Sequence, residues 1–323
     1  MNRAAVNGPE GGAIRRLRTR ERNGTTMGCS EKDCCANNPG NDVISFPGTH
    51  GHDTPWKFYN HLIGHVPEDL VVRDYCLGTH WSYVEADCGM GISFTCKGGA
   101  KRKHTMDLRG LPLRTVAELT KSWCFEEATL GVAALNAYYA QKPLLDPLGA
   151  VYDPPVECSE RGSRGGVPPR DAFEQYRPRI EAAGAARGGD GRARVTVVGH
   201  FPHVDRIADY ADLTVRERNC TQALDTPDPA CEYVLPKSDY TFITGVTIIN
   251  KTAPRLLDLT KYGTTVMVGP SVVMSPFLFD WGVEMLAGSV VADPDKARFA
   301  VMNGAGQFFG EALQMMSITR PGA

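Results

Sequence analysis

The apolar run Val195-Thr196-Val197-Val198 stops at Gly199-His200-Phe201-Pro202, and a second apolar run ends at Glu217. That order opens a βαβ unit of the nucleotide-binding type, in which one parallel strand feeds a crossover and then a neighbouring strand. Where such units carry a glycine-rich phosphate loop, this chain has a His-Phe-Pro corner. Phe201 and Pro202 put bulk where a pyrophosphate would approach the backbone, so the corner argues against dinucleotide binding in the usual manner.

The runs Val195–Gly199, Leu213–Glu217, Tyr240–Thr244, Thr264–Val268 and Ser289–Val291 alternate with helical spacing. They predict an α/β fold with five parallel strands in a Rossmann-like, doubly wound sheet. The closing segment Ala297–Ile318, with Met302, Phe308, Phe309, Leu313 and Met316, reads as helix covering that sheet, its methionines in the core.

Upstream, Trp56–Ile63 repeats apolar groups at helical spacing. Leu70–Cys76, Trp81–Glu85 and Met90–Thr95 read as an antiparallel meander with one buried face. Helices follow at Leu113–Thr120 and Phe125–Tyr139; Ser122 is available as a cap, and Glu126 and Glu127 stand in the first turn where the helix dipole favours anions. The resulting organisation is a disordered tail at 1–54, an α+β domain at 55–140, a linker at 141–192 with a short helix at Asp171–Ala183, and the α/β domain at 193–323.

A chain of 323 residues has room for two such units, and its net charge of −2 lacks the excess of Lys and Arg that a nucleic-acid binder needs. No apolar stretch reaches the ~20 residues of a membrane helix, and a cytoplasmic protein without a membrane partner is expected. Cys76, Cys88, Cys96 and Cys124 stand singly in apolar contexts, as packed thiols do. Cys29, Cys34 and Cys35 in the tail could hold a soft metal as a mobile hook.

In an open parallel sheet ligands bind beyond the carboxyl ends of the strands. The residues there are Gly199-His200-Phe201-Pro202, Glu217, Thr244-Gly245-Val246-Thr247 with Asn250 and Thr252, and Gly269-Pro270-Ser271. Small and polar groups of this kind suit a polar or anionic ligand held by hydrogen bonds. Glu217 stands near the position of the acid that binds ribose hydroxyls, so a nucleoside, a pterin-like heterocycle or another ring with a hydroxylated arm would find an acceptor there. His200 and His203 have metal-ligand spacing, and Glu217, Cys220 and Cys231 could complete a zinc-like site after a fold-back; otherwise His200 caps the turn and His203 faces solvent. Thr and Asn of the 244–252 loop equally serve as helix caps. Ser271 lacks the G-x-S-x-G elbow of a hydrolase nucleophile.

Taken together these motifs resemble the heavy-metal chelation family, domain of unknown function 364, preceded by its usual N-terminal partner domain. The matching residues are Val197-Val198-Gly199-His200-Phe201-Pro202, Glu217, Leu235-Pro236 with Asp239, Thr244 through Thr252, and Val268-Gly269-Pro270-Ser271. In the N-terminal half they are Gly78-Thr79-His80-Trp81, Gly89-Met90-Gly91 and Glu127 through Ala137. The chain departs from the family pattern at Asn219-Cys220-Thr221-Gln222. The resemblance implies an N-terminal domain shaped like that of enolases, without the metal-bearing barrel of enolase chemistry, and a Rossmann-like domain. It implies functional positions at His200, Glu217, Thr244, Thr247, Asn250 and Ser271, with Gly78, Trp81, Gly89 and Asn136 on a facing wall.

The leading expectation is a protein that holds a small polar heterocycle or a metal chelate in an interdomain cleft, with His200 and Glu217 as metal ligands if a metal binds. The competing one is an enzyme with His200 as general acid or base and the threonine-rich loop stabilising developing negative charge. A homodimer paired through the edge of the meander is expected with either.

Overall fold

In a computed structural model of the chain, the structure describes residues 44–46, 48–49, 55–153, 171–188, 191–218, 220–306 and 312–323. The readings made for Cys29, Cys34, Cys35, Phe308, Phe309, Asn219 and nearly all of the 1–54 tail lie outside these residues.

Helix α1 (Trp56–Gly64) turns Phe58, Tyr59, Leu62 and Ile63 inward, as its spacing requires. Strands β1 (Val72–Leu77), β2 (Trp81–Ala86) and β3 (Gly89–Phe94) form the meander in the order β1-β2-β3, all antiparallel. After α2 (Leu113–Ala117), which tightens into a 3-10 turn at Glu118–Lys121, helix α3 (Phe125–Tyr139) lies across the meander. The alanines and glycines permit the close approach: a Cβ on Gly91 would stand 2.0 Å from the Ala137 nitrogen, and one on Gly131 2.0 Å from that of Thr120. Ser122 is not the N-cap of α3, a place taken by Cys124; its hydroxyl instead accepts from the Cys124 N–H and donates to the buried Glu127 carboxylate.

The meander buries both faces, not one. In β2 every residue but Glu85 is buried. Helix α3 covers one face, and the other packs Trp81, Tyr83, Met90 and Ile92 against Ala297, Val301 and Leu313 from the end of the chain.

Within 141–192 the described residues form elements besides the expected short helix. They comprise α4 (Lys142–Leu145), strand β4 (Val151–Tyr152) and α5 (Ala172–Ala185), whose N-cap Asp171 accepts from the Phe173 N–H at 2.8 Å. Beyond it come β5 (Arg194–Val198), β6 (Asp212–Arg216), β7 (Asp225–Thr226), α6 (Cys231–Val234), β8 (Tyr240–Thr244), α7 (Val246–Ile249), α8 (Ala253–Leu259), β9 (Thr264–Val268), α9 (Phe277–Asp280), β10 (Val283–Val291), α10 (Pro294–Met302) and β11 (Leu313–Thr319). The sheet order is β4-β11-β10-β9-β8-β5-β6-β7. From β7 to β10 neighbours are parallel; β11 runs antiparallel to β10 and to β4.

The five long parallel strands thus stand in the doubly wound order second-first-third-fourth-fifth, and the order reverses between β5 and β8. Alternation along β8 sends Phe242 to a cluster under α5 and Ile243 to the opposite face, where Ile248 and Leu256 lie. That second cluster continues into Phe58, Leu62, Leu130 and Leu135, so one apolar core joins the sheet to the N-terminal layer.

The closing segment departs from the expected single helix. Helix ends at Met302, which is 66 % exposed rather than buried, and the chain returns as β11. Methionine and leucine serve either conformation, so local preference leaves Leu313–Thr319 open. The long β10 presents a free row of backbone groups, and pairing with it from Val291↔Leu313 to Met285↔Thr319 decides for strand.

Candidate functional site

The carboxyl ends of β5, β6, β8 and β9 open onto a cavity of about 650 Å³, closed on its other side by Trp81 and Phe94 of the meander. It lies at the β5/β8 reversal, where neighbouring crossovers leave the sheet in opposite directions and a crevice must form. Among the sequence-read positions, Gly199, His200, Phe201, Pro202, Glu217, Thr244, Thr247, Asn250, Thr252, Gly269, Pro270, Ser271 and Trp81 line it. Gly245 and Asn136 stand behind the wall. A Cβ on Gly245 would meet the Val272 nitrogen at 2.3 Å, and Asn136 is buried with Nδ2 donating to the Ile92 carbonyl at 2.9 Å.

Left-handed backbone explains both turn glycines, and at Gly199 a Cβ would also stand 2.9 Å from Thr244 Cγ2. Gly199 and Gly269 have φ of 107° and 105°, and the Phe201 ring passes 3.7 Å from the Cβ position of each. The ring occupies the space between the ends of β5 and β9. Edge-on contacts to Phe173 at 5.4 Å and between Trp81 and Phe94 at 5.5 Å give aromatic walls on both sides.

His200 is turned toward β7, with Nε2 2.8 Å from Asp225 Oδ1, so it does not cap its own turn. Asp225 Oδ2 accepts from the backbone N–H groups of Thr221 and Gln222, both at 2.7 Å. Burial alone would raise the Asp225 carboxyl, but those two N–H groups and His200 outweigh it and hold it below the ordinary range. His203 is exposed with φ 60°. Glu217 accepts from the Arg218 N–H at 2.8 Å.

The threonine-rich loop is largely satisfied within itself. Thr247 Oγ1 donates to the Thr244 carbonyl at 2.7 Å, and Asn250 Oδ1 accepts from the N–H and hydroxyl of Thr252 at 3.1 and 2.6 Å, just before α8. Ser271 Oγ accepts from the Phe94 N–H at 2.8 Å, which stitches the β9 turn to the meander. Next to Asn250, Lys251 donates to the carbonyls of Ser122 and Ile249; burial brings its ammonium down to about 7.

The donors at the cavity do not fit a protein-held metal centre. Among the described residues no three His, Cys, Asp or Glu side chains gather as metal ligands, so His200, His203, Glu217, Cys220 and Cys231 do not assemble into the zinc-like site their spacing suggested. The cavity also holds Met316, expected in the core, and residues that sequence reasoning passed over: Phe94, Phe173, Arg216 and Met315. Of these only Arg216, a charge closing an apolar strand, carried a signal in the sequence.

The family profile described as "Putative heavy-metal chelation" and numbered DUF364 matches residues 185–315. A second profile with the same description, DUF4213, matches residues 59–139. A crystal structure of a DUF364 protein of unknown function from Desulfitobacterium hafniense is 30 % identical, with a TM-score of 0.69, covering 82 % of this chain and 98 % of that one. The chain belongs to the DUF364 family. A second DUF364 structure, from Pyrococcus horikoshii, shares the fold at 20 % identity and a TM-score of 0.60, covering 82 % of this chain and 98 % of that one. An uncharacterized protein of Methanocaldococcus jannaschii is 26 % identical over 254 residues, which is 73 % of this DUF364 chain and 85 % of that relative. Both profiles contribute to the cavity of this DUF364 protein, one through Trp81 and Phe94 and the other through the strand-end turns.

Proposed function

We propose that this protein binds a small polar heterocycle or an already formed metal chelate in the cavity between the meander and the sheet, with a role in heavy-metal chelation or cofactor metabolism. The carrying observation is the cavity itself: aromatic rings on two opposing walls, and His200, Glu217, Asn250 and Ser271 at its polar margin. Rings flanked by hydrogen-bonding groups favour a planar, pterin-like ligand. A metal would arrive with its chelator, because no three side chains among the described residues close a coordination sphere. The meander and its helices support the likeness to an enolase N-terminal domain as scaffold alone. The free thiols of Cys76, Cys88, Cys96, Cys124, Cys220 and Cys231 favour a reducing compartment, the cytoplasm. Pairing of two copies through the edge strand β1 stays part of this proposal.

Elemental and organic mass spectrometry of protein purified without chelators or a histidine tag tests the binding reading. A stoichiometric heterocycle or chelate reduced in His200→Ala and Asn250→Ala supports it; ligand content unchanged in both variants removes it. The 2.8 Å pair of His200 with Asp225 supports a second reading, an enzyme whose imidazole is oriented by a carboxylate for acid-base work. Turnover that follows one ionisation and vanishes in His200→Ala would decide for it.

A further inference from the structure

Arg216 ends β6 beside Val198, its register partner on β5, and lines the cavity. Only 2 % of the residue is exposed. Nη2 donates to the Ala230 carbonyl at 3.2 Å, while Nε and Nη1 are buried with no hydrogen-bond partner. No carboxylate among the described residues bonds to it. Asp228 is engaged by Arg255 at 2.9 Å, and the other groups that reach Arg216 are the thiols of Cys231 and Cys220. Burial pulls the guanidinium below the ordinary arginine range, yet an arginine keeps its charge at any physiological pH.

A buried cation with two idle donors is costly, and folded proteins place arginines in such positions paired. A resident structural role would have supplied a carboxylate. A ligand-binding role leaves the partner to be brought in.

We propose that Arg216 is the anion anchor of the cavity, and that the ligand carries a carboxylate or phosphate group bound by its guanidinium. This rests on the reading of the cavity as a ligand site and narrows it. A free heavy-metal cation is disfavoured beside an arginine whose donors are idle, whereas an acidic heterocycle or a chelate with free acid groups supplies them with acceptors.

Met315 and Met316 line the same cavity, so methionine methyl NMR on the full chain reads occupancy directly. The probes are benzoate, phenyl phosphate and neutral benzamide, at matched ionic strength. In the wild type, benzoate or phenyl phosphate should shift the Met315 and Met316 methyls saturably. Binding should weaken by about tenfold to a hundredfold in Arg216→Met, with benzamide unaffected by the substitution. The tighter of the two anions tells carboxylate from phosphate. Should Arg216→Met fail to fold, a preference for the anions over benzamide that persists, weakened, in Arg216→Lys supports the anchor equally. Benzamide and benzoate binding alike in wild type and variant would overturn the anchor and leave the cavity a ligand site. No methyl response to any probe would overturn the anchor and count against the cavity reading with it.

Discussion

Two cations are set into the carboxyl-end side of this sheet, and the chain treats them in opposite ways. Lys251 lies in the seam between the end of α7 and the turn before α3, where the carbonyls of Ser122 and Ile249 accept from its nitrogen and the Trp123 ring lies 5.9 Å away. Arg216 lies on the cavity wall with two guanidinium nitrogens unpartnered. The seam also closes around Glu127, which takes the N–H groups of Lys103 and His104 and the Ser122 hydroxyl. In the seam Lys251 and Glu127 are satisfied by the chain and hold it together; on the cavity wall Arg216 keeps two donors for something else to satisfy.

The largest effect should come from filling the contact between β3 and α3, inside the N-terminal layer. Gly91→Ala places a Cβ 2.0 Å from the Ala137 nitrogen of α3, and urea unfolding should show a loss of about 3 kcal/mol or more. A near-neutral Gly91→Ala would mean that β3 and α3 are not in rigid contact there.

Lys251→Met should change how stability depends on pH. With the folded-state ammonium at about 7 against an ordinary 10.5, the unfolded chain binds the extra proton between those values. The wild type therefore gains stability relative to the variant as pH rises from about 7 toward 10.5, and keeps the full penalty below 7. The gain should reach a few kcal/mol, at about 1.4 kcal/mol per pKa unit. Parallel stability curves for the two proteins from pH 6 to 10 would show that Lys251 is not held in the seam as described.

Arg216→Met should raise stability by about 1 to 2 kcal/mol, since it removes a buried charge with two idle donors and keeps the volume. A loss of that size would make Arg216 a structural group like Lys251 and erase the difference between the two regions. The smallest effect belongs to the cavity rim: His203→Gly relieves a φ of 60° on an exposed side chain and should stabilise by no more than about 1 kcal/mol in thermal unfolding.

Strands β8 and β9 and helix α3 begin and end where the sequence places them, because β-branched runs and a 3.6-residue apolar repeat are local signals. The turns that line the cavity were legible for the same reason, each being the end of such a strand. β11 was not, because its residues suit helix and strand alike until β10 offers an edge. Phe94, Phe173 and Met315 were not, because each reaches the cavity from an element whose placement is a matter of packing.

By itself, then, the sequence determined which segments become parallel strands, that their carboxyl ends carry small and polar residues, and that a phenylalanine stands where a phosphate loop would. Only the tertiary structure decided that the meander closes the cavity, that His200 meets Asp225 rather than a set of metal ligands, and that Arg216 is buried with two guanidinium nitrogens unpartnered. Strand pattern is written in neighbouring residues. Satisfaction of a buried charge depends on groups brought from distant parts of the chain, and no local pattern records which of them arrive.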